Sequence, residues 1–192
     1  MIVAVFGGSF NPPHVAHVLA VALTLSTHEV DRVLVVPTFK HPFAKPLAPY
    51  EDRVTMCELA MGWLPKVTVS RVEQELGGDS RTLRTLEHLA ATHPEWRLRL
   101  VIGADILAET SKWFGFEAIA RIAPPIVLGR VGIGRETGNV RAPEPLLPSV
   151  SSTEVRAKLA AGRGEGALEE LRSLVPREVL AHIAQRGLYS GE

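Results

Sequence analysis

Apolar residues recur along this chain in two different patterns. Short apolar runs bounded by glycine, proline or charged residues predict β-strands at 2–6, Arg32–Val36, Val67–Val72, Leu98–Ile102 and Pro125–Leu128. Longer stretches with helical spacing lie between and after them and predict helices at about 14–27, 50–63, 81–92, 112–122, 153–161 and 176–186. The elements therefore alternate between strand and helix, which predicts an α/β fold.

The predicted strands indicate how the layers are stacked. Val33–Val36 and Leu100–Ile102 are continuously apolar, as strands buried on both faces of a parallel sheet are. We therefore expect a single domain over 1–192, with helices on both faces of a parallel sheet and a helical C-terminal part at about 150–192. Ligands of such sheets bind beyond the carboxyl ends of the strands. Polar, glycine-rich or proline-rich stretches follow four predicted strands, at 7–17, 37–49, 103–113 and 129–135, and we expect them to share one cleft.

Composition narrows the choice of partners. The 192 residues include 46% hydrophobic ones, and Lys plus Arg equals Asp plus Glu at 21 each, so no overall positive charge favours nucleic acid or anionic membranes. Cys57, the single cysteine, excludes an internal disulfide and lies in a predicted amphipathic helix, where it is expected in the core. Gly7 ends the first apolar run, so that run predicts a strand and not a signal peptide, and Leu19–Leu25 is too short to span a bilayer. We expect a cytoplasmic protein; its oligomeric state is open, with a homo-oligomer as one possibility.

The segment from Val5 to His17 has the features of an anion site. A strand runs into Gly7 and Gly8, Asn11 is a candidate N-cap, and Pro12 and Pro13 suit the first turn of the following helix. Free backbone N–H groups and the positive end of the helix dipole favour a phosphate at such a helix start.

Two histidines accompany this predicted anion site. His14 and His17 are three residues apart, so they share one face of the first helical turn. Alternatively, this spacing is half of a metal site or incidental, but no cysteine or acidic pair nearby completes a zinc ligand set.

A second predicted helix start, near residue 153, carries a similar polar cluster. Its hydroxyls and an arginine one turn inside the helix predict another phosphate site; they are Ser151, Ser152, Thr153 and Arg156. The alternative is simple helix capping, supported by Glu154, although this needs fewer hydroxyls and does not explain the arginine. The loops 37–49 and 129–149, rich in proline or glycine, are either surface loops or lids beside a cleft.

The N-terminal segment resembles the H-x-G-H signature of the adenylyltransferase superfamily, and within it the nicotinate/nicotinamide mononucleotide adenylyltransferases. Their opening reads Gly-Gly-(Ser/Thr)-Phe-(Asn/Asp)-Pro-x-His-x-Gly-His, and the matching residues are Gly7, Gly8, Ser9, Phe10, Asn11, Pro12, His14 and His17. Ala16 stands where the family has its inner glycine; if backbone approaches nucleotide closely at this position, the methyl group of Ala16 would crowd it.

Other segments extend the resemblance from residue 2 to about 189. Residues 150–156 are similar to the family's Ile-Ser-Ser-Thr-x-Ile-Arg, Gly103-Ala-Asp with Trp113 is similar to its Gly-Ala-Asp … Trp, and the closing Gly-Leu-Tyr also matches. Residues 73–86 match at Thr82, Thr85 and Leu86, but Arg81 replaces the usual tyrosine. Lys45 and Gly129-Arg130 are looser matches. Considered without this resemblance, Asp105 could equally cap the next helix and Trp113 could equally be a core residue.

The resemblance implies a Rossmann-like nucleotidyltransferase fold and a transfer from ATP, with Mg²⁺, to nicotinate or nicotinamide mononucleotide in NAD biosynthesis. The catalytic residues it implies are His14, His17 and Arg156. The residues it implies for ATP are Gly7, Gly8, Ser9, Phe10, His14, His17, Gly103, Asp105, Arg130, Ser151, Ser152, Thr153 and Arg156. Those it implies for the mononucleotide are Ser9, Lys45, Arg81, Thr82, Thr85, Asp105 and Trp113, and no resident metal ligand is implied.

Three other functions stay open at this point. One is another adenylyl- or cytidylyltransferase of the superfamily, such as the pantetheine-phosphate enzyme. A second is a non-catalytic nucleotide sensor, since Ala16 and Arg81 depart from the family pattern. A dehydrogenase-type module fits poorly, because Gly-Gly-Ser-Phe-Asn-Pro is not the G-x-G-x-x-G motif.

Overall fold

Five parallel strands form the central sheet of the computed structural model, which describes residues 1–41, 46–107, 113–130, 136–137, 140–141, 147–161 and 170–190. The strands are β1 (Ile2–Gly8), β2 (Arg32–Pro37), β3 (Val67–Val69), β4 (Arg97–Gly103) and β5 (Pro125–Leu128). Their order in the sheet is β3-β2-β1-β4-β5. A short antiparallel pair follows, β6 (Glu136–Thr137) with β7 (Val140–Arg141).

Eight helices with described bounds accompany the strands. They are α1 (Val15–Thr27), α2 (Tyr50–Met61), α3 (Val72–Leu76), α4 (Thr82–Thr92), α5 (Ala104–Leu107), α6 (Phe116–Ile122), α7 (Ser152–Ala161) and α8 (Arg177–Arg186). In the described part of the chain, every helix is too short or too polar to cross a membrane. The predicted α/β fold, with a parallel sheet and a helical C-terminal part, is confirmed.

The core forms two clusters, one on each face of the sheet. Along β2, Val33 and Val35 belong to the cluster under α1, α2 and α8, whereas Leu34 and Val36 belong to the cluster under α4 and α6. All four are at most 6% exposed, because alternate side chains of a strand point to opposite faces and both faces are covered. Cys57 is fully buried in the first cluster, as expected.

The sequence prediction failed at several element boundaries. The predicted strand 67–72 ends at Val69, and Val72 is the first residue of α3, with its side chain buried. The predicted helix 112–122 begins at Phe116, after Gly115 at φ +72°. A Cβ on Gly115 would lie 2.8 Å from Leu83 Cδ2, so this turn requires glycine both for its dihedral angle and for its close approach to α4.

The topology determines where a ligand cleft can form. The chain moves outward from β1 to β2 and β3, then returns to place β4 on the other side of β1. The connections that follow β1 and β4 therefore leave the sheet in opposite directions, and a crevice opens between Gly8 and Gly103 at their carboxyl ends.

Candidate active site

A cleft of about 670 Å³ lies at this crevice. Its walls include residues from the turn after β1, the ends of β2, β4 and β5, the start of α4 and the segment before α7. All four stretches predicted to share a cleft contribute to its lining. The predicted site residues among them are Gly7, Gly8, Ser9, His14, His17, Arg81, Thr82, Thr85, Gly103, Asp105, Trp113, Arg130, Ser151, Ser152 and Thr153.

The turn from β1 to α1 differs from the prediction in one respect. His14, not Asn11, is the N-cap of α1, and Pro12 and Pro13 precede the helix instead of forming its first turn. Asn11 does not cap the helix because its side-chain amide bonds Pro46 and Ala48 in a distant loop. Its oxygen is therefore engaged away from the N–H groups of α1.

Phe10, predicted to bind ATP, is 1% exposed and lies beneath the cleft. A Cβ on Gly8 would be 3.2 Å from Phe10 Cζ, so the ring fills the space under that glycine. Its ring meets that of His17 edge-on, with centroids 5.0 Å apart. Phe10 therefore supports the histidine from within the core, and its role with ATP remains a prediction.

The two predicted histidines stack on one another at the cleft wall, with ring centroids 3.8 Å apart and planes 28° from parallel. The backbone N–H of His14 donates to Nδ1 of His17 over 3.1 Å. Because Nδ1 accepts this bond, the neutral His17 ring carries its proton on Nε2. His17 is thereby held as a neutral N–H donor.

Burial and nearby charge keep both rings neutral. Burial, followed by the positive charge of Arg130, lowers the pKa of His14 to about 4. Burial, the neighbouring His14 and Arg130 hold the pKa of His17 well below its usual value. Near neutral pH the histidines can therefore supply hydrogen bonds to an anion, while Arg130 supplies positive charge.

The predicted set of helix N-terminal amides is only partly free. The N–H of Val15 donates to the Leu174 carbonyl over 2.9 Å, and that of His17 donates to the His14 carbonyl over 2.9 Å. These two amides of the first turn are occupied within the protein. An anion at this helix start therefore depends on side chains more than the sequence suggested.

Asp105 and Arg130 form an ion pair where β4 and β5 end. Arg130 Nη1 lies 3.0 Å from Asp105 Oδ2, and Arg130 also donates to the Val150 carbonyl. A Cβ on Gly103 would be only 2.3 Å from Asp105 Oδ1, so the carboxylate folds back over this glycine. The pair presents an acceptor and a cation to the cleft, and Gly103 makes its geometry possible.

The hydroxyls at the start of α7 have structural partners of their own. Ser151 Oγ accepts the Glu154 N–H over 3.1 Å as a cap, and Ser152 Oγ donates to the Pro12 carbonyl over 2.8 Å. Arg156 donates to the Asn11 carbonyl over 2.7 Å and to Thr153 Oγ1 over 3.3 Å. It is absent from the described cleft lining, so its predicted catalytic role remains a prediction.

Arg81 and two aromatic residues lie at the other end of the described cleft lining. Arg81 is the N-cap of α4, and its guanidinium carbon lies 5.4 Å from the centroid of Phe114. Asp79, two residues before Arg81, pairs with Lys40 at 3.4 Å. Trp113 packs partly against the core, edge-on to Phe116. Lys45 lies outside the described residues.

Sequence reasoning missed several residues that line or build this end. Glu73 accepts the Phe39 N–H over 3.0 Å and the Thr85 hydroxyl over 3.2 Å, and Ser80 Oγ accepts the same Phe39 N–H. Phe114 lines the cleft although it is 70% exposed. The sequence did offer a signal for Phe114, because it is a large aromatic residue next to Trp113 in the segment that follows Gly103-Ala-Asp. Glu73 lies between a predicted strand and a predicted helix, in a stretch whose pattern gave no such signal.

Buried Arg53 was also missed, although it builds the cleft from below. It is 1% exposed and donates to the carbonyls of Ser9 (3.0 Å), Ala48 (2.9 Å) and Phe39 (3.5 Å). It therefore links the turn after β1 to the loop after β2. Arginine side chains are usually exposed, so no sequence signal indicated this buried position.

Comparisons with known proteins agree with this architecture. The sequence profile described as "Cytidylyltransferase-like" matches residues 5–158. The chain is 50% identical to the probable nicotinate-nucleotide adenylyltransferase of Anaeromyxobacter sp. (strain K) over 192 residues, covering 98% of this chain and 97% of that one. It is 40% identical to the protein of the same name from Myxococcus xanthus, covering 97% and 94%.

A solved structure has the same fold. It is described as Plasmodium falciparum nicotinic acid mononucleotide adenylyltransferase complexed with NaAD, and it superimposes with a TM-score of 0.82 over 98% of this chain and 97% of that one. At 17% sequence identity, this similarity concerns the fold.

Proposed function

This chain belongs to the nicotinate-nucleotide adenylyltransferase family, and we propose that it transfers the adenylyl group of ATP to nicotinate mononucleotide. In this reaction a phosphate oxygen of the mononucleotide forms a bond to the α-phosphorus of ATP. The bond from that phosphorus to the bridging oxygen breaks, and pyrophosphate leaves with the electron pair. The observation that carries the proposal is that one cleft holds both the stacked histidines and the Asp105–Arg130 pair.

The nucleophile needs no general base. A phosphate monoester has a second pKa near 6, so the attacking group is mostly a dianion at neutral pH. Catalysis then consists of aligning two polyanions and stabilising the negative charge that develops on pyrophosphate. The described lining supplies suitable groups for this, including His14, His17 and Arg130.

We divide the main polar groups between the two substrates. His17 donates from Nε2 and His14 assists beside it, both to ATP phosphates, while Arg130 adds positive charge nearby. Arg156, on α7, also binds the ATP phosphates. Ser9 and Lys45 hold the attacking phosphate of the mononucleotide. Asp105 accepts hydrogen bonds from ribose hydroxyls.

In this proposal Mg²⁺ is part of the nucleotide substrate. Among the described residues, no cluster of three or more His, Cys, Asp or Glu side chains could hold a metal ion. We propose that Mg²⁺ enters with ATP and would neutralise phosphate charge there. We also propose that the reaction occurs in the cytoplasm.

The preference for nicotinate over nicotinamide is assigned to Arg81. Nicotinate carries a carboxylate and nicotinamide a neutral amide, so a guanidinium at this end of the cleft distinguishes them. A charge-assisted hydrogen bond is worth about 1.5–3 kcal/mol, or roughly 10- to 150-fold in preference. Trp113 offers the aromatic plane for the pyridine ring, and Thr82 and Thr85 line the same end.

Pyrophosphate release from ATP, measured across a panel of acceptors, tests the proposal. The panel contains nicotinate mononucleotide, nicotinamide mononucleotide and pantetheine phosphate, and the highest kcat/KM is expected for the first. Pyrophosphate release with pantetheine phosphate but with neither pyridine mononucleotide, or release at the same rate without any acceptor, would refute the assignment.

Arg81→Ala tests the selectivity, with Arg84→Ala as its matched control. Arg84 is on the same helix but donates to the carbonyls of Leu76 and Gly77. We expect Arg81→Ala to reduce the nicotinate-to-nicotinamide ratio of kcat/KM at least tenfold, and Arg84→Ala to leave it unchanged. An unchanged ratio in Arg81→Ala would remove this role.

A further inference from the structure

Asn11, in the turn that precedes His14, is held by groups from distant parts of the chain. It is 2% exposed, and its Oδ1 accepts both the Ala48 N–H and the Tyr189 hydroxyl over 2.9 Å. Its Nδ2 donates to the Pro46 carbonyl over 3.4 Å, and its own carbonyl accepts from Arg156 over 2.7 Å. The turn carrying the first histidine thus depends on partners supplied by tertiary contacts.

The C-terminal helix brings Tyr189 to this turn. The helix α8 ends at Gly187, whose φ of +62° and ψ of +30° form a left-handed cap, and the Leu188 N–H donates to the Ile183 carbonyl over 3.0 Å. This is the geometry that reverses the chain after a helix and that glycine adopts at little cost. Tyr189 follows Leu188, two residues after the cap, and its ring packs against the core cluster under α1, α2 and α8.

Asp52 on α2 fixes the position of α8. It is 5% exposed, and it lies 3.0 Å from both His182 Nε2 and Arg186 Nε. These two hydrogen bonds favour the charged carboxylate, and the pKa of Asp52 is lowered despite its burial. The tyrosine is therefore presented from a helix that is anchored at two points.

The Tyr189 hydroxyl is a neutral donor in this setting. Burial raises the pKa of Tyr189, and the charges nearest to it include those of Arg156 and Arg53. Those two arginines donate to the carbonyls of Asn11 and Ser9 respectively. Three side chains from three different helical regions therefore hold the same short turn.

We propose that Tyr189 is a positioning residue, whose hydroxyl holds Asn11 and thereby fixes the turn that aligns His14 and His17. The inference rests on the proposed function for its kinetic consequence. Without the hydroxyl, Asn11 Oδ1 keeps only the Ala48 N–H, and the turn loses its link to the C-terminal segment. The histidines then meet the ATP phosphates less often in a productive arrangement, although neither has been altered.

Tyr189→Phe tests this, and the chain contains a matched control. Tyr50 is the other tyrosine, and its hydroxyl is buried without a hydrogen-bond partner among the described residues. Measured where both variants are fully folded, Tyr189→Phe should lower kcat about tenfold, because small misplacements of catalytic groups carry large rate costs. Tyr50→Phe should remain within twofold of wild type. Equal kcat for Tyr189→Phe and wild type would overturn the proposal.

A double-mutant cycle separates positioning from a general structural effect. If Tyr189 acts through the histidines, Tyr189→Phe should cost less than threefold in a His17→Ala background. In an Arg81→Ala background, it should keep its tenfold effect. A full tenfold loss in the His17→Ala background would overturn the proposal.

A failure of the proposed function is distinguishable from a failure of this inference. If wild type makes no dinucleotide from ATP and nicotinate mononucleotide, the proposed function fails. ATP binding measured by calorimetry needs no acceptor and then tests Tyr189 separately. We expect Tyr189→Phe to bind ATP about threefold more weakly than wild type, and Tyr50→Phe to bind it as wild type does. Equal binding by Tyr189→Phe and wild type would overturn the positioning role.

Discussion

Replacing Gly103 by alanine should disable Asp105 without unfolding the protein. The new Cβ would lie 2.3 Å from Asp105 Oδ1, whereas ordinary van der Waals contact begins near 3.4 Å. The carboxylate must therefore retreat by about 1 Å, because the end of a side chain moves more easily than the strand. That displacement disrupts the 3.0 Å contact between Asp105 and Arg130.

The expected loss follows from the role assigned to Asp105. A hydrogen bond to a charged group contributes about 1.5–3 kcal/mol, so losing one with the ribose should lower kcat/KM roughly 10- to 150-fold. Stability should change by less than about 1 kcal/mol. The Asp105–Arg130 pair is partly exposed and worth about 0.2–1 kcal/mol, while replacing glycine restricts the unfolded chain and gains about 0.4–1 kcal/mol.

Steady-state kinetics and urea unfolding measure these two quantities, with Asp105→Ala as the reference. If the methyl group acts only by displacing the carboxylate, then adding Gly103→Ala to Asp105→Ala should cause no further loss. Wild-type kcat/KM in Gly103→Ala would refute the reasoning. So would a further tenfold loss in the double variant, because the methyl group would then obstruct the substrate directly.

Three other predictions concern the start of α1. His17→Ala should lower kcat about 10²–10³-fold and raise KM for ATP far less, as expected for a donor that binds the phosphates more strongly in the transition state; kcat within threefold of wild type would exclude that role. His14 has its folded-state pKa lowered to about 4, so only the unfolded state binds its proton as pH falls below 6.5. His14 alone should therefore lower the free energy of unfolding by about 2 kcal/mol between pH 7 and 5, so the fall measured in urea titrations should be about 2 kcal/mol smaller in His14→Gln than in wild type; an equal fall in both proteins would contradict it. Ala16→Gly should lower stability by about 1 kcal/mol and tighten ATP binding, because Ala16 lines the cleft; unchanged affinity by calorimetry would show that its methyl group does not crowd nucleotide.

The sequence predicted the sheet well because its strands are buried on both faces. Runs such as Val33–Val36 are apolar at every position only where both layers cover them, and this pattern is local and visible. Short elements were less visible. In a strand of three residues such as Val67–Val69, or a helix of five such as Val72–Leu76, local periodicity is too brief to distinguish one type from the other.

The predicted site residues were mostly brought into one cleft, but the motif did not reveal what each one contacts. Phe10 and His17 belong to the same motif, yet one ring is buried beneath Gly8 and the other lines the cavity. Asn11 resembles a helix cap by position, but its side chain bonds Ala48 and Tyr189 instead. Spacing along the chain indicates which residues share a turn. It does not indicate on which side of the turn the folded chain supplies a hydrogen-bond partner for each side chain.

The sequence by itself determined the layers of the fold, the position of the cleft at the strand ends and most of the functional side chains that line it. Periodic apolar burial and the geometry of parallel strands are properties of local segments. Only the tertiary structure decided how those side chains are held. Arg156 meets Asn11 across 145 residues and Tyr189 meets it across 178, so the partners of this turn exist only after the C-terminal helices have packed. A buried polar atom takes whichever partner the folded chain brings within about 3 Å, and no local pattern encodes that choice.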